Sequence, residues 1–282
     1  MRESNWIPAF GGMTKMQGIK IETTSDFTST YGFGSSSAVT VCTIKALAHL
    51  YGIKLTNQQL FDLAYKTVLD VQGAGSGFDI AAAIWGGTIY YTPPHSRHPA
   101  HDAGSQIYTK EIADQVRNDR MNIIVGYTGV KADTTILINK VKKLQEKDPD
   151  LVTTTLQCMG VIVKKAKLAM EKSDVKTVGT LMNENQTLLE TLGVSTPELA
   201  TLISAARNAG AYGAKLSGAG GGDCMIAVAP KEKRKDIERA IIQAGGEVLN
   251  VKVNAEGVKI EESQKILDRS FDSELRTVEL PE

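Results

Sequence analysis

The chain has 282 residues, 42% hydrophobic and 23% charged, which suits a soluble globular protein of one large or two modest domains. Its 32 Lys and Arg balance 32 Asp and Glu, so no overall field would gather nucleic acid or an anionic membrane, and any anion site must be local. No apolar run reaches the roughly 18 residues of a membrane span, and Met1–Lys15 lacks the parts of a secretory signal. Cys42, Cys158 and Cys224 are odd in number and widely spaced, which argues against a disulfide framework and for a reducing, cytoplasmic setting.

Ile19–Thr24 alternates apolar and polar residues, as a half-buried strand does. A helix opens at Ser35 or Ser36 and ends near Gly52. Thr56 starts the next one, with Gln59 completing a capping box. After the turn Gly73–Gly77 a short apolar helix is expected from Asp79 to Ile84, and Thr88–Thr92 reads as a strand. Thr92–Ser105 has proline, histidine and no period, so it is a loop. A strand follows at Asn122–Tyr127 and a helix at Lys131–Leu144; after the break Glu146–Pro149 come long amphipathic stretches, Leu151–Lys172 and Val175–Leu192. Ser195 or Thr196 caps a helix with Pro197 in its first turn, running to Asn208. The end reads strand Ala214–Ser217, glycine loop, strand Cys224–Ala229, helix Lys231–Ala244 and strand Glu247–Val253. Helices mixed with antiparallel strands point to an α+β fold.

Three segments carry chemistry. In Gly32–Ser37 (GFGSSS), Gly32 and Gly34 let the backbone approach an anion, while Ser35, Ser36 and Ser37 offer hydroxyls at a helix N-terminus. A serine hydroxyl is also a hard ligand suited to Mg²⁺. The plainer alternative is an N-cap serine after a glycine turn. Gly75–Asp79 (GSGFD) places Asp79 where it could take a hydroxyl proton or hold Mg²⁺, or merely cap the next helix. Ser217–Gly222 (SGAGGG) has more glycines than a hairpin requires, so a phosphate chain is the expected occupant against Ser217, Gly218, Ala219, Gly220 and Gly221, with a purely structural role as the alternative. Lys131, Asp133 and Thr134, after Gly129, could cap a helix or touch substrate. His95, His98 and His101 lack the carboxylate or thiol company of a metal site. Cys224 reads as a buried strand residue.

GFGSSSA, GSGFD followed by AAAIWGG, and KLSGAGGGDC, in that order and spacing, resemble the GHMP kinase superfamily from about Ile19 to the end. The resemblance implies a two-domain fold, residues 1–120 akin to ribosomal protein S5 domain 2 and residues 121–282 ferredoxin-like, with ATP and Mg²⁺ between them. It further implies that Gly34, Ser35 and Ser36 hold the phosphates, with Ser36 and Asp79 as metal ligands. Asp79 becomes the base or orienting group, Gly218, Gly220 and Gly221 close over the phosphates, and Ser76, Gly77, Lys131 and Thr134 lie toward the acceptor. Asn183–Gly222 is similar to mevalonate kinases; Val71–Ala82 and Gly220–Cys224 look more like phosphomevalonate kinases. Mevalonate kinases carry a magnesium-binding glutamate where this chain has Val68. Nothing here matches the family's first PGK…GEH-type motif, and Arg2–Lys15 has no counterpart, so an N-terminal truncation is expected.

The resulting expectation is phosphorylation of mevalonate by ATP in isoprenoid synthesis. Phosphomevalonate is the alternative acceptor, and an inactive nucleotide-binding remnant is the alternative from another class. A decarboxylase acting on diphosphomevalonate is a weaker reading. A homodimer is compatible with the sequence.

Overall fold

The computed structural model describes residues 19, 21–26, 29–73, 75–92, 121–261 and 276–277. By its contacts the chain divides into residues 1–26 with 263–282, and residues 27–262. In the first unit, β1 (Glu22–Thr23) pairs antiparallel with β6 (Arg276–Thr277). β1 is shorter than the expected strand at residues 19–24, and exposed rather than half-buried. Alternation alone does not make a strand where only two residues find a ladder partner.

The larger unit starts with three helices, α1 (Ser35–Leu50), α2 (Asn57–Gln72) and α3 (Phe78–Trp85). α2 begins with the expected capping box: the Thr56 hydroxyl accepts from the Gln59 amide, and the Gln59 side chain accepts in return from the Thr56 N–H. Val41, Leu60, Phe61, Ala64, Val68, Ile80, Ala81 and Ile84 form the core between these helices. Val68 is therefore a packing residue. Thr88–Thr92 forms no continuous strand; instead Gly86 makes an isolated bridge to Glu256. The Gly87 amide donates to Ala255 O and the Val258 amide to Ala83 O, so the segment following the last strand of this unit returns to α3. The loop from Pro93 onward, with His95, His98 and His101, lies outside the described residues.

The rest is a helix-backed antiparallel sheet. β2 (Asn122–Tyr127) leads through α4 (Thr134–Lys147), α5 (Pro149–Glu171), α6 (Val175–Thr191) and α7 (Pro197–Asn208) into the hairpin β3 (Gly213–Leu216) and β4 (Cys224–Ala229). α8 (Arg234–Gln243) and β5 (Glu247–Leu249) complete it. Strand order is β3-β4-β2-β5, all neighbours antiparallel, the split βαβ arrangement of ferredoxin-like domains. α4 starts three residues later than expected because the Asp133 carboxylate caps it, accepting from the Thr135 and Ile136 amides; Lys131 thus sits in the preceding loop. β5 stops at Leu249, well short of Val253, where pairing to β2 runs out. One sheet face and the helices enclose a core with Ile124, Leu199, Leu216, Met225, Ile237 and Ile241 at its centre.

β3 is an edge strand, yet its outer backbone groups are occupied by side chains. Asn183 on α6 donates to Tyr212 O and accepts from the Ala214 N–H. Arg207 on α7 donates to Ala214 O, and Gln186 accepts from the Leu216 N–H at 2.9 Å. Lys215 turns back to donate to Leu216 O. Helix and strand come close enough for this because Gly179 faces Gly213: a β-carbon on Gly213 would lie 1.8 Å from Gly179 O. No helix among the described residues is long and apolar enough to cross a membrane.

Candidate active site

Gly34 and Gly77 hold φ of 70° and 81° and serve as the N-caps of α1 and α3. That left-handed conformation suits glycine and leaves neither helix with a side-chain cap. The serines of GFGSSS and Asp79 are therefore not caps; they lie inside the first helical turns. First-turn amides have no acceptor within their own helix, so both ends present N–H groups and the positive end of a dipole.

The two helix starts meet at Asp79. A β-carbon on Gly34 would lie 2.9 Å from the Asp79 β-carbon, so the carboxylate-bearing residue packs directly on the α1 cap. The buried Ser37 hydroxyl points to Asp79 Oδ2 at a long 3.5 Å. The exposed Ser36 instead accepts from Gln72 Nε2 at 3.4 Å. Of the three serines, Ser37 is thus the one that reaches the carboxylate.

Two tyrosines hold the Asp79 loop from behind. Tyr65 donates its hydroxyl to Gly75 O at 3.1 Å, and Tyr91 donates to Ser76 O at 2.5 Å. Gly77 is buried against both rings. Burial, and then the charges of Tyr65 and Asp79, push the Tyr91 phenol up to about 12, which keeps it a donor throughout the neutral range. Ser76 contributes its carbonyl to this cradle while the residue itself is exposed.

The glycine hairpin has two different sides. A β-carbon on Gly220 would lie 2.3 Å from Val194 O, and one on Gly222 would lie 2.6 Å from Val130 O. On Gly221 it would meet the Leu137 side chain, and the Gly221 amide donates to Val194 O. Ala219 packs against the core of the sheet. These glycines are required by the protein's own packing, the structural role that stood as the lesser alternative to phosphate in the sequence. A β-carbon on Gly218, by contrast, would meet nothing within 4 Å, and the Ser217 amide bonds to Cys224 O.

At the end of the hairpin Asp223 adopts φ 54° and lies against Gly32, where a β-carbon would come within 2.5 Å of Asp223 Oδ2. The first and last glycine segments are therefore in contact, and Asp79 adjoins the first. Lys131, on the β2–α4 connection that Asp223 fastens to the hairpin, and Thr134, the first residue of α4, are both exposed. Cys224 is buried, its thiol pushed up to about 12 by burial and then by Asp223 and Glu247, so it is no nucleophile. Beside the hairpin, desolvation pulls the Lys215 ammonium down to about 8.

Tyr65, Tyr91, Gln186 and Asp223 escaped the sequence reading. Only Asp223 carried a local signal, an acidic residue ending a glycine run; the others act through partners distant in sequence.

Two family models match the chain. One for the GHMP kinases N terminal domain matches residues 5–87, reaching back into the segment for which the motifs offered no counterpart, and one for GHMP kinases C terminal matches residues 166–247. A mevalonate kinase of Thermococcus sibiricus is 40% identical over 253 residues, covering 88% of this chain and 71% of that protein. Its counterpart from Pyrococcus furiosus is 39% identical, covering 88% and 70%. The crystal structure of L. major mevalonate kinase in complex with R-mevalonate superposes with a TM-score of 0.62 at 31% identity, covering 74% of this chain and 61% of that one.

Proposed function

Because this chain belongs to the GHMP kinase family, we propose that it transfers the γ-phosphoryl group of ATP to mevalonate, giving 5-phosphomevalonate. The observation that carries the proposal is the convergence of two uncapped helix N-termini on a single carboxylate, Asp79. Amides at the start of α1 receive phosphate oxygens, and the open Gly218 edge of the hairpin lies against the same phosphate chain. The acceptor hydroxyl attacks the γ-phosphorus as its bond to ADP breaks, and the hydroxyl proton passes to the Asp79 carboxylate. Ser37 and the two tyrosines keep that carboxylate aimed.

Mg²⁺ would find hard oxygens here on Asp79 and on Ser37, which stands 3.5 Å from that carboxylate, whereas Ser36, the ligand expected from the sequence, is turned to Gln72; when bound the ion neutralises phosphate charge. Lys131 and Thr134 are assigned to the acceptor side. The free cysteines are in keeping with cytoplasm.

Mevalonate is favoured as acceptor by the identity of the relatives at about 40%. Phosphomevalonate is the second reading, favoured by Val71–Ala82 and Gly220–Cys224, which look more like phosphomevalonate kinases. A coupled ADP assay with each acceptor separates them. Asp79→Asn is expected to leave ATP affinity near the parent value and lower turnover by about 10²–10⁴. Unchanged turnover would remove Asp79 from the chemistry, and ATP binding by the parent without ADP release from either acceptor would indicate a non-catalytic nucleotide binder.

A further inference from the structure

One residue outside the three chemical segments, Asp223, joins the last of them to residues 128–132 and lies against the first. The Asp223 amide donates to Val130 O at 2.7 Å, and its carbonyl accepts from the Thr128 amide at 2.9 Å and the Thr128 hydroxyl at 3.0 Å. Its side-chain Oδ1 accepts from the Ala132 amide at 3.0 Å. Four hydrogen bonds thus fasten the end of the glycine hairpin to residues 128–132, the run that leads into Lys131 and Thr134. The other carboxylate oxygen lies against Gly32, at the start of the first glycine segment. All of this is achieved from a left-handed backbone that side-chain-bearing residues rarely adopt, although Asp and Asn tolerate it best.

We propose that Asp223 is a positioning residue for phosphoryl transfer, setting the glycine hairpin and the Lys131–Thr134 turn at a fixed approach to the first glycine segment. The proposal rests on the kinase reading above. It assigns the work to the acceptor oxygen and the backbone bend of Asp223, rather than to its charge. Nucleotide held by amides from two loops is sensitive to their separation; a displacement of about 1 Å can cost a hundredfold in rate.

The test compares Asp223→Asn, which keeps both the acceptor and the tolerance for this bend, with Asp223→Gly, which keeps the bend and loses the acceptor. ATP–Mg affinity is measured by calorimetry, kcat and KM by ADP release with mevalonate, and folding by thermal melting. Asp223→Gly should melt near the parent, bind ATP–Mg about tenfold more weakly and lose up to about a hundredfold in kcat, while Asp223→Asn stays within about threefold on every measure. Asp223→Gly binding ATP–Mg within about twofold of the parent, or Asp223→Asn losing as much as Asp223→Gly, overturns the proposal. A lower melting point for Asp223→Gly with unchanged affinity and kcat would reduce Asp223 to a structural brace and equally overturn it. A parent that binds ATP–Mg yet releases no ADP defeats the kinase reading alone, and the affinity comparison then judges Asp223 by itself. A parent that binds no ATP–Mg defeats both.

Discussion

Replacing Gln186 with leucine probes the side-chain ladder that holds β3. Gln186 is fully buried; its Oε1 accepts from the Leu216 amide at 2.9 Å, and its Nε2 donates to Glu190 Oε1 at 2.9 Å and Ser195 Oγ at 3.1 Å. Leucine matches the volume but strands a buried N–H, at a cost of about 1–3 kcal/mol. Glu190 is exposed and Ser195 only partly buried, so water can replace those two bonds and they add little. The net expectation is a loss of about 2 kcal/mol, or about 4–8 °C in melting temperature for a chain of this size. Differential scanning calorimetry measures it, with amide hydrogen exchange at Leu216 as the local readout. Gln186→Glu keeps the acceptor but sets a second carboxylate beside Glu190. It should destabilise at neutral pH by at least as much and recover as the pH falls below about 5. A leucine variant melting within about 1 °C of the parent, with Leu216 equally protected, would refute the claim that this amide depends on Gln186.

Two further substitutions bear on the site. Gly34→Ala forces a left-handed alanine, costing about 1–2 kcal/mol, and drives its methyl into Asp79 at 2.9 Å. Turnover should fall at least as far as the stability does, and an alanine variant with the parent's kcat in the ADP assay would detach Gly34 from the placement of Asp79. Lys215 has its ammonium lowered to about 8 from an ordinary 10.5, so between those values the unfolded chain binds the extra proton and stability rises with pH. Lys215→Met should flatten that rise and raise the melting point at pH 7; a melting curve with the same pH slope as the parent would contradict the assignment.

Much of the architecture was legible because local rules and tertiary structure agree. Thr56 with Gln59, Thr196 with Pro197, and the apolar run of Asn122–Tyr127 each state their element without help. The first and second glycine segments meet where Gly34 packs on Asp79, a proximity that the family resemblance implied and that neither segment states by itself. What was not legible depends on residues far apart in sequence. Gln186 looks like one polar residue on an amphipathic helix, and only the fold reveals it as buried and bonded across 30 positions. Tyr65 and Tyr91 read as ordinary aromatics, yet both hold carbonyls of the Gly75–Asp79 loop. Thr88–Thr92 has strand character, but the backbone there meets the return segment at Gly86 and Gly87 instead of a continuous partner. The glycine excess at residues 217–222 was read as room for a ligand, whereas Val194, Leu137 and Val130 occupy much of that room.

The apposition of Gly179 and Gly213 limits how the hairpin can move. With main chain resting on main chain there, and Asn183 and Gln186 bonded to the β3 backbone beside it, α6 and β3 resist sliding past one another. Space for the loop to shift lies instead beyond the end of β3, on the open side of Gly218, where an added β-carbon would meet nothing within 4 Å.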